Sequence, residues 1–441
     1  MEKARECYDE VFRLLQKHHE WFQRCIPLIA SENVPTLAVR QPLISDFGNR
    51  YAEGWPGERV YAGCTFIDQV ELLCIDLAKR LFNAEFVDVR PISGVVANLV
   101  VYTAFTEPGD CMLALSIPSG GHISMGKKRL GGTAGAVHGL EVEYLVLDEK
   151  ELTVDVDETV KRTDALAKEG HAPKLVMFGG SVLPFPHPVK EMEEYFHSLG
   201  TTIAYDAAHV AGLIAGRTFQ DPLGEGVDVM TLSTHKTLPG PQHGMVASLE
   251  RHADKIRRAT FPGLVSNHHP HNMAGVAVAL AEMLEFGREY AQQIVRNAKA
   301  LGQALYERGF NVLAEHKGFT ESHVLLIDIT QQGDGGLIEG QLEKANIIIN
   351  RNLLPWDIRE GRHFTNPGGI RLGTSEVTRL GMKENDMAEI ADFLRRVVLD
   401  KEPPEKVGNE VAEFRKNFQT LHYCFEKEPK AYSYIDILSN R

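Results

Sequence analysis

The chain has 441 residues, 60 Asp and Glu against 47 Lys and Arg, a formal net charge of −13 and 43% hydrophobic residues. That size and balance suit a globular protein of two or three domains. The acidic excess argues against a general nucleic-acid binder or a membrane-surface protein, because no uniform basic field exists to neutralise phosphates. No run approaches the roughly 18–20 apolar residues of a membrane span. Six scattered cysteines without a C-x-x-C pair read as free thiols, and residues 1–10 lack the pattern of a secretory signal, so a cytoplasmic location is expected.

In residues 4–23, Tyr8, Val11, Leu15, Trp21 and Phe22 fall at helical spacing, which predicts an amphipathic helix packed on something else. From about 85 to 250, short apolar runs at 88–90, 111–116, 142–147, 175–178, 202–205 and 227–232 alternate with helical stretches such as 95–105 and 189–199. This alternation predicts an α/β fold, a mostly parallel sheet covered by helices on both faces. Near residue 275 the style changes. A long Ala- and Leu-rich helix is expected over 274–308, broken near Gly287, then strands at 311–314, 323–329 and 347–349 and a helix pair at 385–399 and 404–418. The expected division is an N-terminal helical arm (1–30), a large domain (31–285) and a smaller C-terminal α+β domain (286–441).

The sharpest chemical feature is Ser233-Thr234-His235-Lys236-Thr237, where an apolar run ends in a lysine. Ligands of open parallel sheets sit at the carboxyl ends of the strands, and a lysine there can form a Schiff base with a carbonyl cofactor such as pyridoxal phosphate. A solvated loop lysine is the alternative reading. Thirty residues earlier, Asp206 follows another apolar run; it can pair with a protonated pyridine nitrogen, or cap the helix that follows. Ser93-Gly94 opens a helix whose N–H groups can approach a phosphate. In Gly120-Gly121-His122 the imidazole can stack on a flat ring. Arg371, between glycines, offers a guanidinium fork for a carboxylate. His268, His269 and His271 lack a companion carboxylate or thiolate motif, so no metal site is expected.

With Leu28-Ile29-Ala30-Ser31-Glu32-Asn33, Tyr51-Ala52-Glu53-Gly54-Trp55-Pro56-Gly57 and Ser233-Thr234-His235-Lys236-Thr237 in this order, the chain resembles serine hydroxymethyltransferase, closest to its archaeal-type branch, over about residues 10–400. The resemblance implies a fold-type-I pyridoxal 5'-phosphate enzyme and a homodimer with shared active sites. The substrates implied are serine, glycine and a reduced pterin, either tetrahydrofolate or tetrahydromethanopterin. Carried over, Lys236 binds the cofactor covalently, Asp206 pairs with its ring nitrogen and His122 stacks on the ring. His209 and Ser181 lie near its phenolic oxygen, Ser93 and Gly94 near its phosphate, and Ser233 and His235 flank the lysine. Arg371 and Ser31 hold the amino-acid carboxylate, and Glu53 is the acid/base group at the hydroxymethyl. Tyr51 and Tyr61 come from the neighbouring subunit, and Asn352 faces the pterin with Glu53.

The chain departs from the family pattern at four places. Val60-Tyr61 replaces paired tyrosines, and Val95 stands where a hydroxyl usually follows Ser-Gly. Residues 264–269 replace a glycine-rich stretch that reaches the partner's phosphate, with Asn267 and His268 as candidates for that contact. Residues 238–244 lack the usual arginines and are similar to threonine transaldolases. The alternative activity is therefore a carrier-independent threonine or β-hydroxy-amino-acid aldolase or transaldolase. A catalytically silent binding protein would leave Lys236, Asp206, Glu53 and Arg371 free to drift.

Overall fold

Seven strands make the larger sheet of this computed structural model, which describes residues 2–437. From one edge they run Phe86–Asp88, Gly244–Ser248, Val229–Ser233, Thr202–Asp206, Leu175–Gly179, Cys111–Ala114 and Glu141–Tyr144. Only Gly244–Ser248 runs against the others, antiparallel to both of its neighbours. The sequence reading missed this strand because Gly244, Ala247 and Ser248 are weak strand formers after a Pro-rich loop.

Alternate residues of the strands feed two separate cores. Val176, Phe178, Ile203, Tyr205, Met230 and Leu232 face one side, packed with helices Thr65–Phe82, Val189–Ser198 and Pro270–Glu307. Leu175, Met177, Ala204 and Val229 face the other, under helix Gly94–Phe105. Burial on both faces explains why these strands read as unbroken apolar runs rather than as alternating ones.

A third core surrounds a four-stranded antiparallel sheet in the order Asn311–Val312, Val324–Asp328, Gly369–Gly373 and Asn350–Asn352. Helices Gly335–Lys344, Glu384–Val398 and Pro404–Arg415 contribute to it. Two expectations need correction here. The glycines on either side of Arg371 are residues of strand Gly369–Gly373 and not turns, and the strand expected at 347–349 is Ile347–Ile348, which stands outside this sheet and pairs in parallel with Ile26–Pro27.

The helix Pro270–Glu307 is continuous over 38 residues and does not break at Gly287. It joins the two regions: Met273, Val276, Leu280 and Ile294 pack in the large core, Leu301 and Leu305 in the small one. At Gly287 a second segment comes close instead, since a Cβ on Gly216 would lie 2.5 Å from the Gly287 carbonyl oxygen. The first helix, Glu2–Phe22, is amphipathic as expected, yet Tyr8, Val11, Leu14 and Leu15 are all exposed on the single chain. Among the described residues no helix is long and apolar enough to cross a membrane.

Candidate active site

The ends of the central strands deliver the acid and the lysine to one place. Asp206 is the last residue of its strand and is 3% exposed. Its Oδ2 accepts a hydrogen bond from Asn98 Nδ2 and its Oδ1 one from the Ala208 backbone N–H, both at 2.9 Å. It does not cap a helix: the next one, Ala211–Ala215, begins after Val210 without a side-chain cap.

Lys236 follows the adjacent strand in a loop held from three sides. Asn33 Nδ2 donates to the Lys236 carbonyl at 2.6 Å, Thr237 Oγ1 donates to the His209 carbonyl at 2.8 Å, and the Gly212 N–H donates to Thr237 Oγ1 at 2.9 Å. Among the described residues the ammonium makes no hydrogen bond or ion pair. Burial, with the Arg371 cation nearby, lowers its pKa to about 8 against the opposing pull of Asp206. A half-buried, unpaired amine with a depressed pKa is chemically a nucleophile.

Ser93 caps helix Gly94–Phe105, its Oγ accepting from the Val96 N–H at 3.2 Å. Gly94 is required by close approach, because a Cβ there would sit 2.4 Å from Ser233 Oγ. The helix N-terminus, Ser93, Gly94 and Ser233 thus form one small polar corner at the strand ends. Arg371 reaches the same region from the small sheet. Its Nε donates to Asn350 Oδ1 at 3.1 Å and its Nη1 to the Ser181 carbonyl at 2.9 Å. His209 is buried and stacks on His323, ring centroids 5.7 Å apart, and the Nδ1 of each has no partner. Burial pushes His209 well below the usual imidazole range and His323 down to about 3, so both are neutral.

A cavity of about 960 Å³ is lined by Arg371 and Ser181 of this cluster together with His122 and Asn352, but not by Lys236 or Asp206. Arg129, Arg351, Arg359 and His363 also line it, with apolar Ile123, Leu130, Ile358 and Phe364, and no carboxylate does. Ser31 and His235 face a different cavity, of about 800 Å³, beside Glu32 and Glu376. Tyr51, Glu53 and Tyr61 line neither. Tyr51 and Tyr61 are about half exposed with rings 5.1 Å apart, and Glu53 Oε1 accepts from Ser266 Oγ at 2.6 Å.

The serine hydroxymethyltransferase family model matches residues 5–394. The chain belongs to the serine hydroxymethyltransferase family. It is 58% identical over 433 residues, 98% of each chain, to the serine hydroxymethyltransferase of Nitrosopumilus maritimus. The protein of the same name from Methanocaldococcus jannaschii is 54% identical over 415 residues, covering 93% of this chain and 94% of its own. That of Methanothermobacter thermautotrophicus is 47% identical over 429 residues.

In this serine hydroxymethyltransferase family member the divergent segment 264–269 is engaged within its own chain. Asn267 Oδ1 accepts from the Ala52 N–H at 2.8 Å and its Nδ2 donates to the Arg50 carbonyl at 3.0 Å. His268 is 1% exposed with Nε2 3.0 Å from Glu71 Oε2. Neither side chain is available to reach a partner without giving up those contacts. His269 and His271 lie 5.7 Å apart, and no group of three metal-ligating side chains converges among the described residues. Sequence reading missed Asn33, Asn98, Ser124, Thr231, His323 and Asn350 because each acts through a long-range contact; only their position beside quoted motifs could have signalled them.

Proposed function

We propose that this chain interconverts serine and glycine, with pyridoxal 5'-phosphate as cofactor and a reduced pterin carrying the hydroxymethyl carbon. The observation that carries the reading is the unpaired amine of half-buried Lys236, within the electrostatic reach of the Asp206 carboxylate and the Arg371 guanidinium, in a chain of this family. The donor set fits the cofactor. Lys236 offers the amine for its aldehyde, and Asp206, fixed by two hydrogen bonds, offers an acceptor for a protonated ring nitrogen. The corner of Ser93, Gly94 and Ser233 at a helix N-terminus suits a phosphate. When bound, the cofactor supplies a carbonyl and an electron sink.

The chain's own residues supply the rest. Of the five N–H donors of Arg371, two are engaged by Asn350 and Ser181, which leaves three in a fixed fork for the amino-acid carboxylate. Near pH 8 about half of the Lys236 amines are uncharged and can take a proton at Nζ. Glu53 is the residue assigned to hold the proton of the hydroxymethyl oxygen. Tyr51 and Tyr61 are about half exposed and, like Glu53, do not line the cavity that holds Arg371, which supports a homodimer in which one copy completes the site of the other. The exposed apolar stripe of helix Glu2–Phe22 supports such an association. Arg129 and Arg371 on the cavity wall, where Arg359 is already paired with Glu149 and Arg351 with Glu339, support a flat carrier with an anionic tail. The cores support a large and a small domain joined inside helix Pro270–Glu307, with the large core reaching Ile294 and with Ile26 and Leu28 of the arm packed in the small core.

The test is release of glycine from serine with tetrahydrofolate and with tetrahydromethanopterin, beside cleavage of threonine without carrier. Carrier-dependent serine cleavage that falls by orders of magnitude in Lys236→Ala is expected. Threonine cleavage that exceeds carrier-dependent serine cleavage would replace this reading with an aldolase.

A further inference from the structure

A polar relay inside the large domain connects the carboxylate at the strand end to the imidazole on the cavity wall. Its centre is Asn98, 2% exposed, in the second turn of helix Gly94–Phe105. Asn98 Nδ2 donates to Asp206 Oδ2 at 2.9 Å and to Ser124 Oγ at 2.8 Å, while Thr231 Oγ1 donates to Asn98 Oδ1 at 2.7 Å. The orientation of the amide follows from chemistry. An ionised carboxylate only accepts, so the nitrogen must face Asp206 and the oxygen must face Thr231.

The direction of the next two bonds then follows as well. Ser124 Oγ accepts from Asn98 and lies 2.8 Å from His122 Nδ1, and it donates to that nitrogen when the nitrogen is an acceptor. The Ser124 backbone N–H donates to the same nitrogen at 3.2 Å. A ring nitrogen that accepts hydrogen bonds carries no proton, so the proton of the neutral imidazole sits on Nε2. His122 Nε2 has no partner among the described residues, and the residue lines the same cavity as Arg371 and Ser181. Burial and the Lys236 and Arg371 cations favour the neutral ring, against the opposing pull of Asp206.

We propose that Asn98 and Ser124 are positioning residues: together they fix the Asp206 carboxylate and hold His122 in the Nε2–H tautomer, so that a neutral N–H donor faces the substrate cavity. The carboxylate half of this inference rests on the pyridoxal phosphate reading. The tautomer half rests on the chain alone.

The two halves have separate readouts. Full-length cofactor-free protein labelled with 15N-histidine reports the tautomer by long-range 1H–15N NMR, with His122 assigned from the resonances missing in His122→Gln. Wild type is expected as Nε2–H, and Ser124→Ala should raise the Nδ1–H share by about tenfold, the loss of one hydrogen bond. Pyridoxal phosphate affinity, measured by fluorescence quenching, should weaken tenfold or more in Asn98→Ala. It should change less than threefold in Ser124→Ala, which keeps the Asn98–Asp206 bond. Asn98→Ser serves where Asn98→Ala does not fold, with melting curves as the check. An Nδ1–H tautomer in wild type, or unchanged cofactor affinity in a folded Asn98 variant, overturns the proposal. Wild type that binds no pyridoxal phosphate would instead remove the cofactor reading, and the NMR result would still decide the relay.

Discussion

Arg371 shows how one side chain is prepared before any ligand arrives. Asn350 and the Ser181 carbonyl hold two edges of its guanidinium, so binding a carboxylate requires little further ordering. Burial lowers its pKa to about 10, which still leaves it charged at neutral pH. Arg371→Ala is expected to weaken glycine and serine binding by about 2–5 kcal/mol, because a charge-assisted, bidentate contact disappears and the carboxylate stays poorly solvated. Pyridoxal phosphate affinity should hardly move. Calorimetric titration with glycine measures the first effect; glycine affinity equal to wild type would place the carboxylate elsewhere. The residue type was legible in the sequence, but its strand, its two supports and its cavity were not, since Ser181 lies 190 positions away in the chain.

Among the elements, helix Pro270–Glu307 does the most to set the geometry, because a single rigid rod enters both the large and the small core. Sequence reading broke it at Gly287 on the general weakness of glycine in helices. Tertiary packing overrides that propensity: the turn before Gly216 lies so near the helix that an added Cβ would meet Ala291 Cβ at 2.4 Å and the Gly287 oxygen at 2.5 Å. Gly216 has an ordinary φ of −78°, so the constraint is close approach and not backbone conformation. Gly216→Ala should therefore destabilise by roughly 1–3 kcal/mol, the usual range for overpacking. A lower urea midpoint with an unchanged slope is the expected result; a midpoint equal to wild type would mean that the contact yields.

At the scale of the molecule, buried histidines tie stability to pH. His187, His243 and His323 are at most 4% exposed and burial pushes them down to about 4, 3 and 3. Each is hydrogen-bonded as a neutral ring, to the Gly179 N–H, the Val89 carbonyl and the Ala30 carbonyl respectively. Unfolded histidine titrates near 6.5, so between pH 6.5 and about 4 the unfolded chain binds three protons that the folded one refuses. The stability they permit is complete above pH 6.5 and is lost on acidification, by about 1.4 kcal/mol per pH unit for each residue. Glu376 acts in the opposite sense. Burial raises it to about 7, so its contribution is present below its unfolded value and lost as pH rises through 7. His209 and His235 are lowered in the same way, and among the described residues Glu376 is the one carboxyl raised as far as about 7, so the acid loss prevails. The urea midpoint should fall between pH 7.5 and 5, and a midpoint that rises over this interval would count against neutral buried histidines.

The alternation of elements, the mostly parallel sheet, the lysine and the acid at strand ends, and the family are all legible along the chain. All of these depend on short patterns, where apolar runs and neighbouring functional residues are read directly from the chain. Only the tertiary structure decided which polar groups act together. Asn98 joins Asp206 across 108 positions and Thr231 across 133, Asn33 reaches Lys236 across 203, and Arg371 meets Ser181 from another sheet. A hydrogen bond depends on distances of about 3 Å and on the direction of a proton. Those quantities exist only once the strands are in register and the helices packed, and no local pattern of residues encodes them.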